Sequence, residues 1–454
     1  MNKDFLLLSS EFNSVTRDYY LKQIFSNNVI SDSFDLVTNT VNFVKDKVLL
    51  YDLTNSLTGF LQFARLVDEI DSSKKIVNKN DFIISRLRSY LKECAVVDDK
   101  NLSQIVSSEY LVFREKPNSV ISSYTFQAFC LSRIVQGILS HSQYGTEHPR
   151  FFEFVLTNLT IPNSILRINK IISRLGKTLH NKIKTSDTLY KKAEEILINE
   201  LGLKNFKPTN DNINIKKFSN SFIKTGRIDA EFYQKKYEDI ENKIKCYKGG
   251  WLFLKDKNIF DLKRGSLISD NFYVKTSQRP YIRGADFSGG ALSSGGMVYI
   301  DDNFIKTNET IVNNNDIIYA LIGSVGEVAL VTKLYNNSFI SNNLGKLKIK
   351  NKNVILSEFL LIFLQSIGKY YFERYQMKTA QPKISNNEIQ EFVIPKVDLN
   401  IQEKIAKLIQ ESFKLKDEAK EILSYATKAV EIAIEKNENE ALQFLQKKSS
   451  MFSS

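Results

Sequence analysis

The residue types that most often carry chemistry are sparse and scattered in this chain of 454 residues. Cys94, Cys130 and Cys246 do not cluster with one another or with His141, His148 and His180. Zinc needs three or four converging ligands, and these spacings supply neither a metal knuckle nor a disulfide framework. The run Asp68-Glu69-Ile70-Asp71-Ser72-Ser73-Lys74-Lys75 sets carboxylates beside lysines, the residue types of a phosphodiester-cleaving site. Its polar, turn-like composition reads instead as a solvated loop. There is no Asn-Pro-Pro-aromatic motif of amino-methyl transfer, no Gly-x-Gly cofactor loop and no phosphate-binding G-x-x-x-x-G-K-S/T loop. Catalysis and metal binding are therefore not expected of this chain, and recognition is.

The net charge of +12 points the same way. A lysine- and arginine-rich chain is drawn to polyanions because binding releases condensed counterions. No apolar run approaches the roughly 18 residues that a membrane span requires. The first residues, MNKDFLLLSSEFNS, lack the apolar length and cleavage site of a signal peptide. The expected location is the cytoplasm.

The elements that must position any recognition surface come in two copies. Ile76–Asp81 matches Ile311–Asp316 at an offset of 235, and Glu93–Val97 matches Glu327–Val331 at 234. Thr146, Pro149-Arg150 and Pro162 match Thr379, Pro382-Lys383 and Pro395 at 233. Phe12 and Arg17-Asp18-Tyr19-Tyr20 echo Phe222, Arg227-Ile228-Asp229 and Phe232-Tyr233. A near-constant offset over this length marks an internal duplication.

Each copy has one plan. Asn-Asp turns feed buried strands (DFII, DIIYALIG), and EYLVFRE and KLKIK read as further strands. A helix follows, carrying Phe126, Phe129, Leu131 and Val135 in one copy and Phe359, Leu360, Phe363 and Leu364 in the other. LTIP and FVIP close the domains. A long helix then begins. Ile168, Ile172, Leu175, Leu179 and Leu189 in the first, and Ile401, Ile405, Leu408, Leu415 and Ile422 in the second, share one heptad register. Sustained a/d spacing predicts a coiled-coil seam, interrupted at Lys182 and Ser186 by a bend or a subunit contact. Each helix of about 35 residues would span on the order of 50 Å. The fold expected is α+β: two homologous mixed α/β recognition domains separated by two long helices paired as an antiparallel coiled coil. The boundaries are 1–164, a central helix over 165–203, a linker and second domain over 204–397, and a distal helix over 398–448. Two similar heads on a basic chain suit duplex DNA, whose half-sites recur on one face about every 34 Å.

The second copy runs Tyr281-Ile282-Arg283-Gly284-Ala285-Asp286-Phe287, Asn315-Asp316-Ile317-Ile318, Gly323-Ser324-Val325-Gly326 and Thr379-Ala380-Gln381-Pro382-Lys383-Ile384-Ser385, then Ile394-Pro395 and Gln402. With Arg227–Tyr233 and Ala193–Leu197, this set resembles the specificity subunit of a type I restriction–modification system, each copy corresponding to one target-recognition domain. The resemblance implies a non-catalytic subunit that reads a bipartite, asymmetric DNA site. It implies docking of two modification subunits that methylate adenine with S-adenosylmethionine, and of motor-nuclease restriction subunits that use ATP and Mg. No cofactor is expected on this chain itself. The first copy departs from the pattern, with Arg86-Leu87-Arg88-Ser89-Tyr90-Leu91 in place of the Gly-Ser-Val-Gly loop and His148 in place of Gln381.

Base readout needs Arg or Lys for guanine and Asn or Gln for adenine, carried on loops that reach a groove. The candidates are Arg283, Ser324, Lys378, Thr379, Gln381 and Lys383 in the second domain, and Arg86, Arg88, Lys92, Tyr144, His148 and Arg150 in the first. Arg86 and Arg88 would alternate outward around Leu87 on a strand. Gly323 and Gly326 would let a backbone N–H approach a phosphate, or simply make a turn. A coiled-coil interaction module, such as a decoy or inhibitor in a defence system, is the alternative function. Steep salt dependence of binding would separate DNA reading from it.

Overall fold

The computed structural model describes residues 28–62, 64–209, 211, 213–288, 290–292, 297–304 and 309–449. Phe12 and Arg17–Tyr20, the start of the first repeat, lie outside them. The chain forms two compact units, Met1–Lys184 with Leu415–Ser454, and Thr185–Lys414. Each unit therefore owns half of each long helix, a division that differs from the head–helix–head–helix order read along the sequence.

The first unit opens with α1 (Ile30–Ser33), β1 (Phe34–Val37), β2 (Val48–Tyr51), β3 (Arg65–Val67), β4 (Lys74–Val77) and β5 (Phe82–Ser85). It continues with β6 (Cys94–Val96), β7 (Gln104–Ser107), β8 (Tyr110–Glu115), helices α2 (Ser123–Leu131) and α3 (Arg133–His141), and the short pair β9 (Gln143–Tyr144) and β10 (Arg150–Phe151). Then come α4 (Phe154–Thr157) and the long α5 (Asn163–Glu200). One sheet has the order β1-β8-β5-β6 and the other β3-β2-β7-β4. Within the second, β2 and β7 are parallel.

The second unit adds α6 (Phe222–Thr225), α7 (Lys235–Lys245), β11 (Trp251–Phe253), β12 (Phe260–Arg264), β13 (Tyr273–Val274), β14 (Pro280–Ile282), β15 (Phe287–Ser288), β16 (Ala291–Leu292), β17 (Val298–Ile300) and β18 (Ile311–Val312). It continues with β19 (Ile317–Ala320), β20 (Val328–Leu330), β21 (Ser338–Ile340), β22 (Leu344–Ile349), α8 (Ser357–Ser366), α9 (Gly368–Tyr375), α10 (Asn386–Gln390) and β23 (Val393–Pro395). The chain then forms the long α11 (Leu399–Glu435) and ends with α12 (Glu438–Ser449). Its sheets run β12-β22-β19-β20 and β13-β17-β14-β21-β18, with β14 and β21 parallel. The duplication in sequence is thus a duplication in topology, with one extra edge strand in the second copy.

The Asn-Asp signature works identically in both. Asn80 and Asn315 turn the chain at φ of 68° and 71°, a conformation asparagine tolerates. The carboxylates of Asp81 and Asp316 accept from the N–H groups of Asn78 and Asn313, each at 2.8 Å. The strands that follow, β5 and β19, are buried at every position. The helix expected around Phe126 to Val135 is two helices. Ser132 is extended at ψ 149° and its hydroxyl caps the N–H of Val135, so it ends one helix and starts the next.

In the first unit α5 runs antiparallel to α11: Lys182 pairs with Glu418 at 2.7 Å, and Ile168 and Ile172, earlier on α5, share a core with Ala429 and Ala433, later on α11. In the second unit Ser186 hydrogen-bonds Ser412 at 2.8 Å, and Ala193 and Leu197 share a core with Ile405 and Ile409. Lys182 and Ser186 are thus paired across the helix seam rather than marking a bend. Ile168, Ile172, Leu179, Ile405 and Ile422 are buried, but Leu175, Leu189, Ile401, Leu408 and Leu415 are only half-buried. Gln402, Ile409 and Lys416, one position after Ile401, Leu408 and Leu415, are buried instead, as are Ile183 and Leu197. The seam is broader than a strict a/d stripe because each helix also packs on its own head. The distal helix is not continuous to 448. It breaks at Lys436-Asn437, where the Asn437 side chain accepts from the N–H of Glu440 at 3.0 Å, and α12 returns Ala441 and Leu445 to the first unit's core.

Candidate nucleic-acid interface

In the first unit a loop after β5 meets the loop between β9 and β10. Arg88 donates its N–H to the Pro149 carbonyl at 2.8 Å, Phe151 donates to Arg86 at 3.1 Å, and Leu87 bridges Arg150. In the second unit Gly323 donates to Pro382 at 2.9 Å, Ile384 to Leu321 at 2.8 Å, and Ile322 bridges Lys383. The pairing is the same. So is the backbone: Arg88 and Lys92 sit at φ 51° and 55°, where Gly323 and Gly326 sit at 84° and 98°. The first copy holds two cationic residues in a conformation that glycine adopts freely and L side chains adopt at some strain. Arg88 therefore turns the chain, and the expected strand alternation of Arg86 and Arg88 does not extend past Leu87.

This arrangement gathers all six first-domain candidates. Tyr144 lies opposite Arg150 in the β9–β10 pair. Arg88 meets His148 Nδ1 at 2.9 Å. Lys92 and His148 are exposed, and Lys92 closes the turn that begins at Arg88. The residue that sequence reading missed is Glu109, between β7 and β8. Its carboxylate accepts from Arg86 Nε at 2.9 Å and from Arg150 at 3.2 and 2.9 Å. Arg150 first, then Arg86, hold the Glu109 carboxyl below the usual range. The repeat offset places neutral Asn343 at the equivalent point of the second copy, where its carbonyl accepts from Leu321 at 2.8 Å, so the acid that clamps the first loop pair has a neutral counterpart in the second.

In the second unit Ser324, Lys378, Thr379, Gln381 and Lys383 are exposed on the paired loops. The Thr379 hydroxyl donates to the Gln381 carbonyl at 2.6 Å, and Met377 donates to Lys383 at 2.7 Å, which stiffens the tip. Lys378 is engaged by Glu231 at 3.0 Å across a groove of about 890 Å3. Arg227, on the same groove, is held by Asp229 at 2.8 Å and by the Tyr375 carbonyl at 3.0 Å, so the Arg-Ile-Asp segment serves to tie the head together. Arg283 belongs to a different element. It follows β14, and its guanidinium leans to the buried Asp286 at 3.7 Å.

Elsewhere, Asp68, Glu69 and Asp71 are solvated as expected, but Lys75 is buried and donates to the Tyr110 carbonyl at 2.8 Å. Burial pushes the Cys94 thiol up to about 12. Among the described residues no group of His, Cys, Asp or Glu is placed to hold a metal ion, and no helix is long and apolar enough to cross a membrane.

Residues 248–443 match the family model described as type I restriction modification DNA specificity domain. The chain is also similar to a solved type I restriction-modification system S subunit from M. genitalium, at 14% identity and TM-score 0.39, over 90% of this chain and 96% of that one. The HsdS subunit from Thermoanaerobacter tengcongensis matches at 14% identity and TM-score 0.31, over 91% and 94%.

Proposed function

We propose that the protein is the specificity subunit of a type I restriction–modification system, reading DNA without catalysing a reaction itself; the match of residues 248–443 to the type I restriction modification DNA specificity domain supports this. Each unit reads one half of a bipartite, asymmetric site through its loop pair. One observation carries this reading: loop pairs with the same backbone hydrogen bonds, Arg88 to Pro149 and Gly323 to Pro382, present unlike side chains. A shared scaffold with divergent reading surfaces suits two different half-sites better than a palindrome. The donors fit the chemistry, with half-buried Arg88 and exposed Lys92 suited to guanine or phosphate and exposed Gln381 to adenine.

The outer faces of α5 and α11 dock two modification subunits, which methylate adenine with S-adenosylmethionine. Restriction subunits that use ATP and Mg join them, and the assembly acts in the cytoplasm. The test is methylome sequencing of a host with and without the gene. A bipartite methyladenine motif that appears only with the gene is expected, and Gln381→Ala should alter one half of it. Purified protein that gives no sequence-dependent methylation with its modification partners would overturn the proposal, and binding that is indifferent to salt would favour a protein-interaction module.

A further inference from the structure

Three aromatic rings stand in a row on the first unit's surface beside the basic loops. Tyr144 stacks on Phe152 with centroids 4.2 Å apart and planes at 18°, and Phe152 on Phe154 at 5.5 Å and 16°. All three are exposed, at 41%, 46% and 52%. Strand geometry places the first two rings, and the third opens the short helix α4 that follows. Tyr144 is the cross-strand partner of Arg150, and Phe152 lies two residues beyond Arg150, so Tyr144 and Phe152 share one face. Phe151 between them alternates inward and is fully buried. Together the rings leave roughly 250 Å2 of aromatic surface in water, in one strip rather than scattered.

The flank of this strip decides what covers it. Arg150 sits directly opposite Tyr144, and Arg88 and His148 are bonded to each other on the adjoining loop. Arg150 is paired there with Glu109, so the cations beside the strip are Arg88 and the exposed Lys92 of the adjoining loop. An apolar strip beside such cations is complementary to a ligand that is a polyanion with apolar groups exposed between its charges. Duplex DNA offers this in the major groove, where the thymine 5-methyl group is the apolar feature and phenylalanine is a suitable contact. We propose that the Tyr144–Phe152–Phe154 ladder packs on thymine methyl groups, making thymine a required base of the half-site read by the first unit. This rests on the specificity-subunit reading and adds residues and a base identity to it.

The test uses the full chain assembled with its modification partner and a duplex bearing the site found by methylation mapping. The first unit's half-site is the one at which Arg88→Ala changes recognition. Each thymine there is replaced in turn by deoxyuridine, which removes only the methyl group. Wild-type protein should lose about 3- to 10-fold in affinity at one or more positions. The double variant Phe152→Gln/Phe154→Gln should lose a similar factor on the thymine duplex and nothing further on uracil. Its salt slope should stay unchanged, because apolar contacts release no counterions. Tyr144→Leu, which keeps bulk at the hairpin, should behave likewise and guards against a folding defect in the double variant. Indifference of the wild type to every uracil, or losses from variant and uracil that simply multiply, would overturn the ladder's role while leaving the specificity reading intact. Absence of any sequence-dependent binding by the wild type would overturn both.

Discussion

Replacing Glu109 by glutamine should make the first unit bind DNA more tightly and less selectively. Glu109 is 25% exposed and neutralises Arg86 and Arg150, themselves 34% and 33% exposed, through contacts of 2.9 to 3.2 Å. Glutamine keeps one acceptor oxygen and the shape but removes the charge. Partly solvated ion pairs contribute about 0.5–1 kcal/mol each, so the fold should lose only about 1–2 kcal/mol. The surface gains one unit of positive charge at the loop pair. One further phosphate neutralised steepens the salt dependence of log K by about 0.9, which at roughly 0.15 M salt is about fivefold in affinity. The assay is fluorescence anisotropy with a random-sequence duplex from about 0.05 to 0.3 M salt. Discrimination between the cognate site and random duplex should fall, because the gain is in backbone attraction. An unchanged slope and affinity in Glu109→Gln, with wild type binding the same duplex, would refute the idea that Glu109 restrains these arginines.

Other outcomes follow from the packing. Gly345→Ala should destabilise the second unit by about 2 kcal/mol or more in urea unfolding, since a Cβ there would lie 2.2 Å from the ring of the fully buried Tyr319 on the neighbouring strand. Ser186→Ala should lose about 1 kcal/mol, because the buried Ser412 hydroxyl loses its partner across the helix seam; a denaturation midpoint equal to wild type would count against that bond. Burial pushes the Asp286 carboxyl up to about 6, against the pull of Arg283. Folding therefore favours the protonated form, and this contribution is present below about pH 4 and lost as pH rises through 6. Asp286→Asn should gain stability over wild type across that window, by about 3 kcal/mol at most, and unfolding curves that differ equally at pH 4 and pH 8 would contradict it. Gly323→Ala should destabilise its loop through its φ of 84°, seen as a lower urea midpoint.

Much of the fold was legible along the chain, for a local reason. The Asn-Asp turns before β5 and β19 draw on residues a few positions apart, and heptad spacing is a property of one helix. The offset of 233 to 235 made the second copy a check on the first. Some local detail was still lost. Ser132 splits a helix whose apolar spacing runs straight through, because its cap outweighs the pattern. The seam at Ile183, Leu197, Ile409 and Lys416 is displaced from the heptad reading because each helix answers to its own head as well as to its partner.

Residue order alone fixes two like units, the long helices that follow them, and the loops that carry Arg, Lys and Gln. Side-chain type and local periodicity are sufficient for that. Folding in three dimensions is what sets Arg88 and Lys92 at the backbone positions of Gly323 and Gly326, clamps Arg86 and Arg150 with Glu109, and stacks Tyr144, Phe152 and Phe154. Each of these depends on segments far apart in the chain, or on a backbone angle no composition reveals. Their geometry is set when β8, β9 and β10 meet the loop after β5, not by any residue's neighbours in sequence.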